Sequence, residues 1–228
     1  MGSSSLAPRQ LVLALDHAVS FAREDFLRGP PNAAAFALID RWPDWPDRIV
    51  ALVGPEGSGK SHLAAMWAEA AGARILSAKL LSDIEPPAAL ATGALVVEDL
   101  EPEGLDERAL FHLLNLAREE RAYVLLTARQ ALARFVISIH DLASRLRALP
   151  AVTLAPPDDA MLRSLLVKLA VDRQLTVDDG VVNYLVNHIE RSFAAAHGKS
   201  GAGDQTKASR HLRARRARRS ALFAAQCS

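Results

Sequence analysis

The chain has 228 residues, 50% of them hydrophobic, which suits one medium domain or a domain with a small appendage. Aromatic residues make up only 5%, so a core must be packed from Leu, Val and Ala. The formal net charge of +1 conceals an asymmetry: residues 197–228 carry eight Lys/Arg and one Asp, a net of +7, which leaves residues 1–196 at −6. A mildly acidic body excludes a domain-wide nucleic-acid surface and leaves that footprint to the tail alone.

In chain order, residues 1–20 open polar and continue into an alternating apolar patch. Met1-Gly2-Ser3-Ser4-Ser5-Leu6 lacks the basic-then-apolar order of a secretory signal, and Leu6 stands where myristoylation wants Ser or Thr. No apolar run reaches the roughly 18 residues of a membrane span. The single cysteine, Cys227, has no partner for an internal disulfide, so a cytoplasmic location is expected. A helical pattern over Ala33 to Arg41 ends at the breaker Trp42-Pro43-Asp44-Trp45-Pro46. Strands and helices then alternate. Ile49–Val53 is a first strand, Ser61–Ala71 a helix, Arg74–Leu76 a short second strand and Ala94–Val97 a third. Asp106–Glu120 is an amphipathic helix, Tyr123–Leu126 a fourth strand, Asp141–Leu149 a short helix and Val152–Leu154 a fifth strand. This alternation predicts an α/β fold with a mostly parallel five-stranded sheet and right-handed crossovers.

After Pro156-Pro157 the strand signal stops. Asp158 can cap a helix running to about Asp172. Asp178 can cap a second, with Val181, Val182, Leu185, Val186 and Ile189 on one face, and a third can begin near Glu190. The expected organisation is an N-terminal peptide (1–20), an α/β nucleotide-binding domain (21–155), a small helical lid (156–196) and a basic, disordered tail (197–228).

Between the first strand and its helix, Gly54-Pro55-Glu56-Gly57-Ser58-Gly59-Lys60-Ser61 fits G-x-x-x-x-G-K-[ST] without a mismatch. The glycines let backbone N–H groups turn inward around phosphate oxygens. The N-terminus of the following helix adds about half a positive charge at the same spot. Lys60 is spaced to reach the β- and γ-phosphates and Ser61 to ligate Mg²⁺, with His62 next in the helix. The expected ligands are ADP or ATP with Mg²⁺.

Further candidates sit at strand ends. Glu98 and Asp99 close an apolar strand; one carboxylate can hold the Mg²⁺ shell and the other can polarise water. Ser61 and Asp99 form the candidate metal pair, although the Glu-Asp order reverses the usual pattern and leaves the two acids interchangeable. Solvated strand-end acids read the same way. Thr127 follows Tyr123-Val124-Leu125-Leu126 at a strand's carboxyl end, where ligands of such sheets lie; a Thr satisfying a turn fits equally. Arg145 and Arg191, taken alone, are ordinary solvated charges.

Together, "FLRGPPNAAAFALIDRW", the glycine-rich loop, "VVEDLE", "LLTARQ", "DLASRLRALPAVTLAPPDDAMLRSLLVKLAVDRQL" and "VVNYLVNHIERSF" resemble the AAA+ ATPases, in the branch of the bacterial replication initiator DnaA. The resemblance covers roughly residues 8 to 196, and within that branch it points to homologues that lack a C-terminal DNA-binding domain. The phrases after Asp141 are the most specific, because the loop alone is shared by many unrelated ATPases. The resemblance implies that Thr127 holds the sensor-1 position and that Arg145 is an arginine finger for a nucleotide on a neighbouring subunit. It further implies that Arg191 is the sensor-2 arginine of the lid and that Phe26 and Leu27 pack near adenine. Gln10-Leu11-Val12-Leu13-Ala14-Leu15 is similar to the Q-L-x-L-x-L peptide that docks on the DNA sliding clamp, with Gln10 at a pocket rim and Leu13 and Leu15 in an apolar groove. An edge strand of the domain itself is the other reading of that patch.

The activity this implies is regulation of replication initiation: the protein binds the clamp and DnaA, and offers Arg145 to DnaA-bound ATP. Its own hydrolysis is expected to be weak, and a homodimer is a further state the resemblance admits. The alternatives are a helicase-loader-like ATPase and, from a different class, a P-loop kinase for a small molecule. The family's lid continues as an amphipathic helix past about Ala196, whereas here the sequence turns rich in Gly, Ser and Arg. Such a tail can contact DNA through phosphates alone.

Overall fold

The computed structural model describes residues 21–172 and 177–188. Gln10, Leu11, Leu13 and Leu15, Arg191, the third lid helix and the basic tail lie outside the described residues.

Helix α1 (Ala33–Asp40) buries Ala35, Phe36, Leu38 and Ile39, the one-sided spacing of an amphipathic helix. The aromatic breaker after it is a packing element as well as a stop. Trp45 folds back to stack on Trp67 with ring centroids 4.8 Å apart, and its indole N–H donates to the Leu38 carbonyl at 2.7 Å. Burying the ring while giving its N–H a backbone partner is what allows a Trp into this position.

Strands β1 (Ile49–Val53), β2 (Arg74–Ser77), β3 (Ala94–Leu100), β4 (Tyr123–Ala128) and β5 (Ala151–Thr153) form a sheet in the order β2-β3-β4-β1-β5. Every pairing is parallel. All five residues of β1 are buried, which explains its unbroken apolar run: both of its faces are covered. Alternate strand residues serve opposite layers. Ile49, Ala51, Val53, Val124 and Leu126 pack beneath α4 (Glu107–Glu119) and α5 (His140–Ala148). Val50, Leu52, Val96 and Leu125 pack beneath α1 and α2 (Lys60–Ala71).

The strand ends differ from the sequence expectation. β3 runs to Leu100 and β4 to Ala128, so Glu98, Asp99 and Thr127 lie inside the ladder instead of beyond it. Pairing outlasts the apolar run because a bulge absorbs the polar residues. The α5 and β5 bounds fall one residue earlier than the periodicity indicates. Residues 78–89, unassigned by periodicity, form a 3₁₀ turn (Ala78–Asp83) and a single-turn helix α3 (Pro86–Ala89). They hold because Ala78, Leu81 and Ala89 are buried in the same core as α4.

Beyond the sheet, α6 (Asp159–Asp172) and α7 (Asp179–His188) meet through Leu162, Val182 and Val186. Both expected caps form: Asp158 Oδ1 accepts the Met161 N–H and Asp178 Oδ1 the Gly180 N–H, each at 2.8 Å. Val181 and Leu185 are half-buried, and Ile189 lies outside the described residues. An ion pair between Lys168 and Asp25 ties α6 to the segment ahead of α1. Among the described residues no helix is long and apolar enough to cross a membrane.

Candidate nucleotide-binding site

The loop joins the carboxyl end of β1 to the first turn of α2. Gly54 donates its N–H to the Ala128 carbonyl at 3.0 Å, which pins the loop to β4. A Cβ at Gly54 would come within 2.6 Å of the Leu154 carbonyl and 2.9 Å of Ser58 Oγ, so only glycine fits. Gly57 and Gly59 adopt φ of +68° and +99°, and Gly59 caps α2 without a side-chain hydrogen bond. The first-turn N–H groups of α2 therefore have no side-chain acceptor at the cap.

Lys60 is 6% exposed, and its ammonium donates to the Gly54 and Pro55 carbonyls at 2.7 and 2.9 Å. Burial, the largest influence, holds its pKa below the usual lysine value; Asp99 opposes that shift, Arg129 adds to it, and Glu56 and Glu98 oppose it. Ser58 Oγ is buried and has no hydrogen-bond partner. A buried cation, an orphaned hydroxyl and uncapped N–H groups around a cradle too tight for a Cβ together form a donor set that fits a phosphate group.

Ser61 is exposed, one residue into α2. A ring nitrogen of His62 lies 2.9 Å from the Ala22 carbonyl, and its ring meets Phe21 and Phe26 edge-on, with centroids 5.5 and 5.1 Å away. Phe26 also stacks on Phe36 at 5.7 Å. Asn32, buried, accepts the Gly29 N–H at 3.0 Å and donates to the Leu27 carbonyl at 2.8 Å, which shapes the turn after Phe26. The structure thus joins His62 and Phe26 in one aromatic cluster at the start of α2, with Leu27 half-buried beside it.

Glu98 and Asp99, interchangeable in the sequence, are distinguished by their surroundings. Val97 pairs with Leu126 and Leu100 with Ala128, so two β3 residues face the single Thr127 of β4. Asp99 takes up the slack with φ +56°, and its N–H donates to the Thr127 hydroxyl at 3.0 Å. Bulges of this kind recur beside active sites because they re-aim a side chain. Asp99 is exposed, while Glu98 is half-buried with Oε1 enclosed and unpartnered. Ser61 and Asp99 offer the hard oxygen donors that Mg²⁺ prefers, and that ion is commonly held by one or two protein oxygens together with phosphates. Among the described residues no group of three or more His, Cys, Asp or Glu could hold a metal by itself.

Thr127 is 1% exposed, so its hydroxyl supports Asp99 and does not face the crevice. Arg145 lies on α5, in the layer across the sheet from α2. Its guanidinium donates to Asn115 Oδ1 and lies 4.9 Å from the centroid of the Phe111 ring, both on α4. The sequence reading missed Asn115, Phe111, Glu107 and Arg129. The 107, 111, 115 spacing along one helix face was the available signal for the first three. For Arg129 it was a charge placed directly after a buried strand.

A phosphate-type loop between β1 and α2 of a parallel β2-β3-β4-β1-β5 sheet, with acids near the end of β3, and with β4 inserted between β3 and β1, defines the chain as having an AAA+ ATPase fold. Solved structures agree. The chain is similar to domain III of the Thermotoga maritima replication initiator DnaA, with a TM-score of 0.62 and 16% identity over 78% of this chain and 85% of that one. It is similar to AMPPCP-bound DnaA from Aquifex aeolicus, with a TM-score of 0.62 and 18% identity over 83% of this chain and 68% of that one. A DnaA bound to AMPPCP and single-stranded DNA matches with a TM-score of 0.61 and 18% identity over 77% of this chain. The chain spans only 62% of the length of that last structure. No protein-family model matches the sequence, and no curated protein does.

Proposed function

We propose that the protein is a nucleotide-holding AAA+ regulator of replication initiation, of the kind represented by Hda, the DnaA homologue without a DNA-binding domain. In this reading the loop N–H groups, Ser58 and Lys60 hold the phosphates of ADP or ATP. Ser61 and Asp99 hold Mg²⁺, Phe26, Leu27 and His62 line the base side, and Arg191 closes the lid. The nucleotide, when bound, supplies the charge that Lys60 is buried to meet. Gln10–Leu15 docks on the DNA sliding clamp, and Arg145 is offered to ATP held by a neighbouring DnaA.

The observation that carries the reading is the separation of the two halves within a DnaA-like fold. The phosphate cradle sits with α2, whereas Arg145 is held by Phe111 and Asn115 in the opposite layer. A cation placed that way suits a nucleotide outside its own subunit, and an arginine finger in trans is worth about 10³–10⁵ in rate. The neighbours solved with AMPPCP support the nucleotide half.

The test is a reconstituted hydrolysis assay with DnaA, clamp-loaded DNA and this protein. Wild type should accelerate loss of DnaA-bound ATP, Arg145→Ala should not, and Gln10→Ala should fail to bind the clamp. Full stimulation by Arg145→Ala overturns the finger, and clamp binding by Gln10→Ala overturns the peptide. Hydrolysis by the protein itself, independent of clamp and DnaA, moves the assignment to a helicase-loader-like ATPase.

A further inference from the structure

Strand β2 is an edge of the sheet: it pairs with β3, and β3 and β4 separate it from β1 and the phosphate loop. An edge of this kind invites an added strand unless something blunts it. Beside it a groove of about 270 Å³ opens between β2 and residues 83–89. Ile75, Leu76, Ile84 and Leu95 supply its apolar surface, and Ile75 is 50% exposed. Asp83 and Glu85 stand exposed on its rim, and neither forms an ion pair with a described residue. Arg74, the cation that lines it, donates to the Ala88 carbonyl.

The volume falls below the roughly 300–1,000 Å³ of ordinary small-molecule sites, so it suits a pair of side chains on an extended segment better than a free ligand. Strand addition takes its affinity from main-chain hydrogen bonds and its specificity from side-chain pockets of this sort. The occupant needs apolar side chains with cations beside them. A second copy laid edge to edge would set Asp83 and Glu85 against their own counterparts, and like charges oppose that arrangement. A nucleic acid meets the same repulsion. The chain's own sequence after α7 supplies the required order: Arg213, Arg215, Arg216, Arg218 and Arg219 are followed by Leu222 and Phe223. At about 3.3–3.6 Å per extended residue, residues 189–228 are long enough to reach the edge strand. On one chain the encounter is intramolecular, so a small groove is occupied even where its intrinsic affinity is weak.

We propose that the β2 edge is the docking groove for this chain's own carboxyl-terminal segment, with Leu222 and Phe223 in the apolar groove and Arg218 and Arg219 on Asp83 and Glu85. Docking holds those arginines away from other polyanions, so a nucleic acid competes with the groove for them. The proposal goes beyond the replication reading and is independent of the nucleotide, the clamp and DnaA.

Cys227, the single cysteine, places a probe four residues past Phe223. A nitroxide on it in the full chain should strip most of the NMR intensity from the amides of Arg74–Leu76 and Asp83–Glu85. Asp83→Lys with Glu85→Lys in one variant, and Leu222→Ser with Phe223→Ser in another, should each restore those signals. Broadening that survives either variant overturns the proposal, as does equal broadening at Asp158 and Asp159, beyond the opposite edge strand. A mixture of isotope-labelled chain without nitroxide and unlabelled chain with it should stay sharp; broadening there reassigns the groove to a second copy and overturns self-docking. If the groove variant does not fold, the tail variant, which changes no described residue, decides alone.

Discussion

Both carboxylate oxygens of Glu107, in the first turn of α4, accept the backbone N–H of Ser138 at 2.9 Å, and one of them also accepts that of Ile139. Ile139 is the cap residue of α5 and has no side-chain acceptor of its own, so α4 supplies the cap from another helix. Four and eight residues along, Phe111 and Asn115 hold Arg145 near the other end of α5. One stripe of α4 thus grips the arginine-bearing helix at both ends.

The backbone hydrogen bond from Ser138, followed by that from Ile139, holds the Glu107 carboxyl below its ordinary range. A depressed folded-state pKa means the stabilisation is complete above the unfolded value, about 4.3 for Glu, and is lost as pH falls through the folded value. Denaturant unfolding followed below about pH 5 should show a shallower acid-side loss for Glu107→Gln than for wild type. Identical slopes would show that the cap does not titrate.

Asn115 should matter to Arg145 more than to stability. In the DnaA hydrolysis assay, Asn115→Ala should lower the maximal stimulation about 10-fold with the half-saturating concentration unchanged, the signature of a misplaced catalytic group. Asn115→Asp keeps the acceptor and should restore most of it. A shift in half-saturation alone would place Asn115 in the docking surface instead.

Thr127→Val keeps the shape but removes the acceptor for the Asp99 N–H in the β3–β4 bulge. The orphaned amide should cost about 1–3 kcal/mol in urea unfolding, with Thr127→Ser close to wild type. Hydrogen exchange at the Asp99 amide should rise in the valine variant. Unchanged protection there would count against the bulge geometry.

Gly54→Ala forces a Cβ into the Leu154 carbonyl and Ser58 Oγ. Overpacking of this kind costs about 1–3 kcal/mol, which thermal unfolding would register as a lowered Tm. A melting curve that matches wild type would mean that the β5 exit yields instead.

Lys60→Met separates binding from stability. The buried ammonium has a lowered pKa, so wild type should gain stability as pH rises toward the ordinary lysine value of about 10.4, and the methionine variant should lack that gain. The same change should weaken ADP and AMPPCP by about 30-fold or more, because it removes a buried charge partner. Retained affinity would show that the loop N–H groups suffice.

The phosphate loop was legible because all its parts lie in eight consecutive residues between an apolar strand and a helix. The five strands and the larger helices were legible for a similar reason, since periodicity is a local property of the chain. Residues 78–89 were not, because a 3₁₀ turn and a single-turn helix are too short to repeat a period and form only against Leu81 and its neighbours in the core. The ends of β3 and β4 were misplaced because pairing, and not hydrophobicity, carries a strand past Val97 and Leu126.

The sequence by itself determined the α/β alternation, the asymmetry of charge and the glycine cradle with its lysine. Tertiary structure alone decided which acid is exposed, that Thr127 faces inward to Asp99, and that Arg129 spans Glu56 and Glu101. It also decided that α4 holds Arg145. The physical reason is separation along the chain: Asp99 and Thr127 are 28 residues apart, and Glu107 and Ser138 are 31 apart. Their hydrogen bonds exist only once the parallel crossovers bring the strand ends and helix faces together.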